Sequence, residues 1–380
     1  MGAHPSAPSG VERPEGRTTL EAVIAADPVR ELGAECAAEF GGRLPFLLKV
    51  LAAEKALSIQ VHPSRKQAEQ GFAEENERGL AAGAAGRNYV DDWPKPEMLF
   101  ALTRFEVLAG MRTVADAGAL FTAIEALGVP ELKPVAAALT EAGFAEAGAG
   151  EAGPGEAGSA VLKQALAALL SWPLAQRSAL IASVVAACER LAAGAGPYAA
   201  ACAATVRIAG DHPGDMGIVA SLLLRYAVLE PGQAVFMAAG GLHAYLHGTG
   251  IELLANSDNV VRAGLTGKHI DIPELLKLTD PGVSVPPVRG RDLGGGVTAY
   301  EPPAPEFRLL RADLGQAEIV LPVDGPRLAL CAEGTVSLTS ADGSALKITR
   351  GESCFLPAAD GPARAAGPGV IFLAATGIHR

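Results

Sequence analysis

Leu47-Leu48-Lys49-Val50-Leu51, inside the stretch Leu44 to His62, is an apolar run of strand length, and Leu57-Ser58-Ile59-Gln60-Val61-His62 follows it closely until Pro63 stops it. Two strands joined by a turn are expected there. Downstream, Arg65 to Gly83 is polar and Glu-rich without a wide apolar stripe, which predicts an exposed helix and loop. The prolines of Pro94-Lys95-Pro96-Glu97-Met98-Leu99-Phe100-Ala101-Leu102 exclude a helix interior and favour another strand. Between Thr113 and Arg207 the texture changes, with Ala and Leu recurring at helical spacing, as in Leu162, Leu166 and Leu169-Leu170, and then Ile181, Val184-Val185 and Cys188. From Gly217 the chain returns to short strands broken by Gly and Pro, and from Glu306 strand-like runs alternate with turns at roughly ten-residue spacing, the pattern of a β-sandwich or jelly roll. The expected architecture is mainly β with an α-helical insert. Residues 1–112 and 211–300 would form one β domain, 113–210 the helical domain, and 301–380 a second, jelly-roll-like domain.

Composition agrees with a folded chain of this kind. At about 150 residues per domain, 380 residues predict two or three domains. An apolar share of 49% against 19% charged residues, with mean hydropathy +0.25, excludes a disordered chain. Only 5% of residues are aromatic, so the core must be built from aliphatic side chains and Ala. A net charge of −11 argues against a broad nucleic-acid footprint, so an anionic ligand must be held by a few local cations. The five cysteines, Cys36, Cys188, Cys202, Cys331 and Cys354, are scattered and form no CxxC pair, as expected for free thiols in the cytoplasm. No run reaches the roughly 18 apolar residues of a membrane span, since Arg225 interrupts Ile218 to Leu229. The start, Met1-Gly2-Ala3-His4-Pro5-Ser6, matches a myristoylation pattern, but Pro5 falls inside it and lipidation is not expected. Residues 146–160 are nearly all Gly, Ala and Glu and predict a flexible surface loop. Its GxGxxG spacing, Gly148 to Gly153 and Gly153 to Gly158, has no strand before it and so no phosphate-binding context.

Chemistry concentrates in three places. Gln60 and His62 lie two apart on a predicted strand and share a face; they could bind one ion, or be a solvated polar pair. Lys95 and Glu97 repeat the spacing, as ligand and cation or as a surface ion pair. His243 sits among Phe236, Met237, Leu242, Tyr245 and Leu246, where a buried structural histidine is the alternative; His247 and His4 are weaker candidates. Two imidazoles, a carboxylate and an amide would suit a catalytic zinc with an open position. The densest polar cluster runs from Glu252 through Asn256-Ser257-Asp258-Asn259 to Arg262 and Lys268, with Gly248, Gly250, Gly264 and Gly267 available for close approach to a ligand. With Lys95, these cations suit a phosphorylated small molecule; a charged loop capped by ion pairs is the bland alternative.

Four segments carry a resemblance: LPFLLKVLAAEKALSIQVHPS (44–64), KPEMLFALTRFEVLAGMR (95–112), GDMGIVASLLLRYAVLEPGQAVFMAAGGLHAYLHGTGIELLANSDNVVRAGLTGKHID (214–271) and RGESCFLPA (350–358). Together, in this order, they resemble the class I (type I) mannose-6-phosphate isomerases of the cupin superfamily. The resemblance implies a zinc-bearing cupin domain interrupted by a helical domain and followed by a second jelly-roll-like domain. It places the zinc ligands on Gln60, His62, Glu97 and His243, one ion per chain, and the active-site arginine on Arg262. The implied activity is reversible isomerisation of mannose 6-phosphate and fructose 6-phosphate, feeding GDP-mannose synthesis. Through a cis-enediol, a proton would move between C2 and C1, with Glu252 as the expected base. Lys95, Asp258 and Lys268 are expected to assist ring opening or phosphate binding, with Ser58 a further phosphate contact. The expected partner is a sugar phosphate, and the expected state a monomer. A non-catalytic sugar-phosphate-binding cupin is the alternative, and a cupin oxygenase is disfavoured by the Gln ligand and the missing HxH pair.

The chain departs from the family at Arg225, where several members have Asn, and at Gly267, where several have Pro. It also lacks the strand region that precedes the Gly-x-His-Pro motif in the family, so Met1 is expected to be an internal methionine or a truncation point. A chain extended upstream is then expected to be more soluble or more stable.

Overall fold

The chain opens on a hairpin of β1 (Gly10–Arg13) and β2 (Gly16–Thr19) and three short helices, α1 (Leu20–Ala26), α2 (Pro28–Leu32) and α3 (Ala34–Glu39). The structure is a computed structural model that describes all residues except 14–15, 82, 85, 147–154, 316, 323 and 379–380. β3 (Phe46–Ala53) and β4 (Ile59–Val61) come next, then α4 (Arg65–Glu77), β5 (Glu97–Ala101) and β6 (Phe105–Met111). Ser64 starts α4 through a reciprocal capping box with Gln67, so the strand bearing Gln60 and His62 runs almost directly into a helix. Thr113 caps the insert's first helix by accepting from the Asp116 amide. The insert is α5 (Val114–Ala126), α6 (Lys133–Glu146), α7 (Glu156–Leu170), α8 (Leu174–Ala192) and α9 (Ala199–Asp211). A short turn of helix, α10 (Gly217–Ala220), leads to β7 (Leu224–Leu229), β8 (Ala234–Met237), β9 (His243–Ala255), β10 (Val261–Gly264), α11 (Ile272–Leu278) and β11 (Pro287–Val288).

Two antiparallel layers share the long strand β9. Its second half pairs with β3, Ala255 opposite Phe46 and Gly248 opposite Ala53, and on the other edge with β5. Its first half belongs to the other layer, where Gln60 of β4 lies opposite His243 and β6 runs alongside. The two strands expected around a turn, β3 and β4, do not pair with each other: they pair with different halves of β9 and sit in different layers. The switch occurs at a bulge, because Glu106 faces His247 while the next residue, Val107, faces Tyr245, leaving Leu246 as an extra residue in β9.

The C-terminal sheet contains β12 (Arg291–Gly294), β13 (Val297–Tyr300), β14 (Arg308–Leu314), β15 (Ile319–Val320), β16 (Arg327–Thr339), β17 (Ala345–Thr349), β18 (Ser353–Leu356), β19 (Arg364–Ala366) and β20 (Gly369–Ala375). β12 and β13 precede residue 301 yet hydrogen-bond into this sheet. The surface loop expected at 146–160 also needs correction, because residues from Glu156 form the first turn of α7, where Gly158 is buried; 147–154 lie outside the described residues. Small residues at helical spacing can order when a neighbouring helix covers them, which composition alone does not reveal. Among the described residues no single helix is long and apolar enough to cross a membrane.

Candidate active site

Gln60 on β4, His62 just beyond its end, Glu97 at the start of β5 and His243 at the start of β9 meet below the bulge. His62 Nε2 lies 3.2 Å from Glu97 Oε1, and His243 Nε2 lies 3.5 Å from Glu97 Oε2. The Gln60 amide is 3.5 Å from both imidazole Nε2 atoms. Each ring is held from behind by a backbone carbonyl, His62 Nδ1 by Asn259 O at 2.7 Å and His243 Nδ1 by Gly241 O at 2.9 Å. A carbonyl can only accept, so Nδ1 carries the hydrogen and the bare Nε2 lone pairs converge on one point. Both rings and Glu97 are buried. Burial lowers the pKa of His62 and keeps the ring neutral, against the raising influence of Glu97. For Glu97 burial acts upward, but the neighbouring His62, His243 and Lys95 hold the carboxyl well below its usual range. Lys95 Nζ stands 3.7 Å from Glu97 Oε1, and the Tyr245 hydroxyl donates to Oε2 at 3.4 Å. With both Nδ1 atoms committed to carbonyls, the two Nε2 atoms and the Glu97 carboxylate are the groups that face a metal cation.

Glu252, on the far half of β9, lies opposite Lys49 of β3, and Lys49 Nζ is 3.3 Å from its Oε2. Burial and the charge of Glu97 raise the pKa of Glu252, while Lys49 and Lys95 oppose the shift. A carboxyl tuned upward in this way suits a group that takes and returns a proton near neutral pH. On the other flank, Arg262 lies opposite Gln60 across the β10–β4 ladder. A cavity of about 370 Å³ is lined there by Arg262, Lys268, His269, Arg87 and Asn88. Among the described residues neither Arg262 nor Lys268 has a carboxylate within 4.0 Å, which leaves both cations open to an anion.

Residues 1–114 match the family model for the catalytic domain of type I phosphomannose isomerase. The chain is 35% identical over 377 residues to the mannose-6-phosphate isomerase of Salmonella typhimurium, an alignment covering 97% of this chain and 88% of that protein. To the enzyme of the same name from Bos taurus it is 31% identical, with 94% and 83% covered. The chain belongs to the type I phosphomannose isomerase family. Among solved structures, a zinc-bound mannose 6-phosphate isomerase superposes with a TM-score of 0.83 at 32% identity, covering 99% of this chain and 90% of the other. A point variant of the Salmonella typhimurium phosphomannose isomerase gives 0.84 with the same coverage. These phosphomannose isomerases are cupin folds, and the curled β layers with a helical insert described above are the same architecture.

Within this family fold the residues singled out from sequence fall into three groups. Gln60, His62, Glu97 and His243 converge, with Lys95 and Glu252 beside them. Arg262 and Lys268 line the neighbouring cavity. Ser58 is half-buried, and its hydroxyl donates to Gln60 Oε1 at 3.3 Å, so it touches the Gln60 amide directly. Asp258 is exposed and paired with His4 Nε2 at 3.2 Å, in a cavity lined by His4, Ser6 and Asn256 that is separate from the one lined by Arg262 and Lys268. Its neighbours Ser257 and Asn259 are buried and structural. The Asn259 side chain accepts from Val90 N and donates to Asp91 O and Trp93 O, which ties the approach to Lys95 to the strand behind His62. Three of the four glycines expected near a ligand answer to protein contacts instead. A Cβ on Gly248 would lie 2.7 Å from the Phe105 ring, one on Gly250 2.7 Å from Phe100 O, and one on Gly264 2.5 Å from Gly217 Cα; only Gly267 is open. Sequence inspection also passes over Lys49 as a functional group, because it sits inside an apolar run. A lone cation in such a run, on the same strand face as Leu47 and Leu51, is the signal that could have marked it.

Proposed function

We propose that this chain interconverts D-mannose 6-phosphate and D-fructose 6-phosphate, with one zinc ion held by Gln60, His62, Glu97 and His243. The donor spacing carries this reading. Zinc bonds of about 2.0–2.1 Å in a tetrahedron separate the ligand atoms by roughly 3.3–3.4 Å. The separations found are of that size, 3.2 Å from His62 to Glu97 Oε1, 3.5 Å from His243 to the other oxygen, Glu97 Oε2, and 3.5 Å from the Gln60 amide nitrogen to each imidazole, and one ligand atom from each of His62, Glu97 and His243 falls within 4.8 Å of the others. The Gln60 amide presents its nitrogen to the imidazoles and its oxygen to Ser58. Exchanging the two ends would give a ligand oxygen at the same point and a donor to the Ser58 hydroxyl, so the side chains fit the metal. Bound zinc would polarise sugar oxygens and stabilise negative charge on an enediolate.

The chain's own groups supply the rest. Glu252 takes the proton from C2 and returns it to C1, a 1,2-shift within one face of a cis-enediol. Lys49 favours the ionised form of Glu252, and Arg262 adds positive charge where the enediolate forms. Arg262, Lys268 and Ser58 receive the phosphate, and Lys95 and Asp258 assist ring opening. The catalytic unit is the cupin sheet expected over residues 1–112 and 211–300, which ends at β11 because β12 and β13 pair into the C-terminal sheet, and it is flanked by the helical insert and that sheet. We take it to act in the cytoplasm as a monomer supplying GDP-mannose synthesis, a setting that suits five scattered cysteines with no CxxC pair.

The test is mannose 6-phosphate incubated with the enzyme in D2O and followed by NMR. Fructose 6-phosphate should form with deuterium at C1. The Glu252→Gln variant should bind zinc normally and show neither conversion nor exchange; exchange at an undiminished rate would remove Glu252 from the base role.

A further inference from the structure

Where the helical insert ends, the chain grips the substrate side of the sheet at two points that the chemistry does not use. Just past α9, His212 Nε2 bonds to Ala56 O at 2.8 Å, in the connection that leads through Ser58 into β4. Slightly further on, Asp215 divides its carboxylate between two backbone amides. Oδ1 accepts from Gly217 N at 2.6 Å, and Oδ2 accepts from Thr266 N at 2.9 Å, in the turn after β10. Thr266 Oγ1 in turn accepts from Lys268 N at 3.1 Å. A chain of bonds thus runs from the end of the insert to the wall of the cavity that Arg262 and Lys268 line.

Two further observations fall on the same turn. The backbones of Gly217 and Gly264 touch: a Cβ on Gly217 would lie 2.6 Å from Leu265 N and 2.9 Å from Gly264 Cα, and Gly264 itself has φ +148°. Leu265, buried beside them, has φ +55°, the only non-glycine in the left-handed region among the described residues. A branched side chain in that conformation is unfavourable and persists only where the surroundings over-determine it. Here the fixed points are the Asp215 carboxylate on one side and the glycine contact on the other.

We propose that Asp215 is a positioning residue for the phosphate: by holding the turn from Gly264 to Lys268 it presets the Arg262 and Lys268 cations for the incoming anion. The inference rests on the reading that the phosphate lies in this cavity. If Asp215 only braced the fold, its loss would lower stability and leave substrate affinity alone.

Asp215→Asn keeps the shape of the side chain but turns an amide NH2 toward one of the two backbone N–H groups. In the full-length, zinc-loaded protein the expected result is a Ki for inorganic phosphate as competitive inhibitor about tenfold higher and a KM for mannose 6-phosphate raised by a similar factor, with zinc content unchanged; kcat falls as well to the extent that Arg262 moves with the turn. Gly217→Ala keeps the Asp215 side chain but crowds both its Oδ1, at 2.9 Å, and the turn at Leu265 N, at 2.6 Å, and should raise KM and Ki in the same direction, which keeps the test open if Asp215→Asn folds poorly. A lower melting temperature with KM and Ki unchanged in both variants would overturn the proposal. Phosphate binding followed calorimetrically separates the two readings. A wild type that binds phosphate, loses that affinity on Asp215→Asn, but converts no mannose 6-phosphate would leave the positioning role standing and remove the isomerase activity.

Discussion

Glu252 is balanced between neighbours of opposite effect. Burial and Glu97 push its pKa up, and Lys49 and Lys95 pull it down. Replacing Lys49 with Met removes one downward pull, so the folded-state pKa of Glu252 rises and less of the base is ionised at any pH near it. The acid limb of the kcat/KM profile should therefore move to higher pH, with the loss larger on the acid side than on the alkaline side. A limb that stays in place would show that Lys49 does not tune the base. At this scale Gln60 and His62 are legible together because a two-residue spacing fixes a shared strand face. Lys49 is not, since its link to Glu252 is a cross-strand register that no local pattern encodes. The carbonyls of Asn259 and Gly241, which orient both histidines, are backbone atoms and leave no trace in residue identity.

β9 sets the geometry of the site. His243 and Glu252 are an odd number of residues apart, and strict alternation would send them to opposite faces. The extra residue at Leu246 rephases the strand, so His243 reaches Glu97 Oε2 at 3.5 Å and Glu252 also feels the Glu97 charge. Gly248 lies just after the bulge at φ +132°, where a Cβ would come within 2.7 Å of the Phe105 ring and 2.8 Å of Arg104 O. Gly248→Ala should cost about 1–3 kcal/mol in urea unfolding, and should lower kcat more than zinc content, because Glu252 is displaced relative to the metal ligands. Equal stability in both proteins would show that the bulge tolerates a side chain. α4 is legible from its Ser64 and Gln67 cap and its polar surface. The separation of β3 and β4 is not, because two strands close in sequence read as a hairpin unless a third strand, here β9, is known to pair with both.

In the whole molecule, the helical insert and the C-terminal sheet hold the site from two sides. Phe100 of β5, three residues after Glu97, packs edge-on against Tyr300 at 5.2 Å and Phe372 at 5.1 Å, so the strand that delivers the carboxylate is seated on the C-terminal sheet. Phe46, Leu48, Phe307, Leu309 and Phe372 belong to the same buried cluster, and a second cluster joins the insert to Ile59, Val61, Val261 and Ala263 around β4 and β10. The sequence of strand, helix and strand textures is legible because each has its own period. Which faces cover one another is not, because alternation says only that a face is buried. The central claim, a zinc-dependent sugar-phosphate isomerase, is tested most directly by stripping the protein with a chelator and titrating zinc back while following mannose 6-phosphate conversion. The rate should rise from near zero and level off at one zinc per chain. Full activity in zinc-free protein, or none in fully loaded protein, would contradict it.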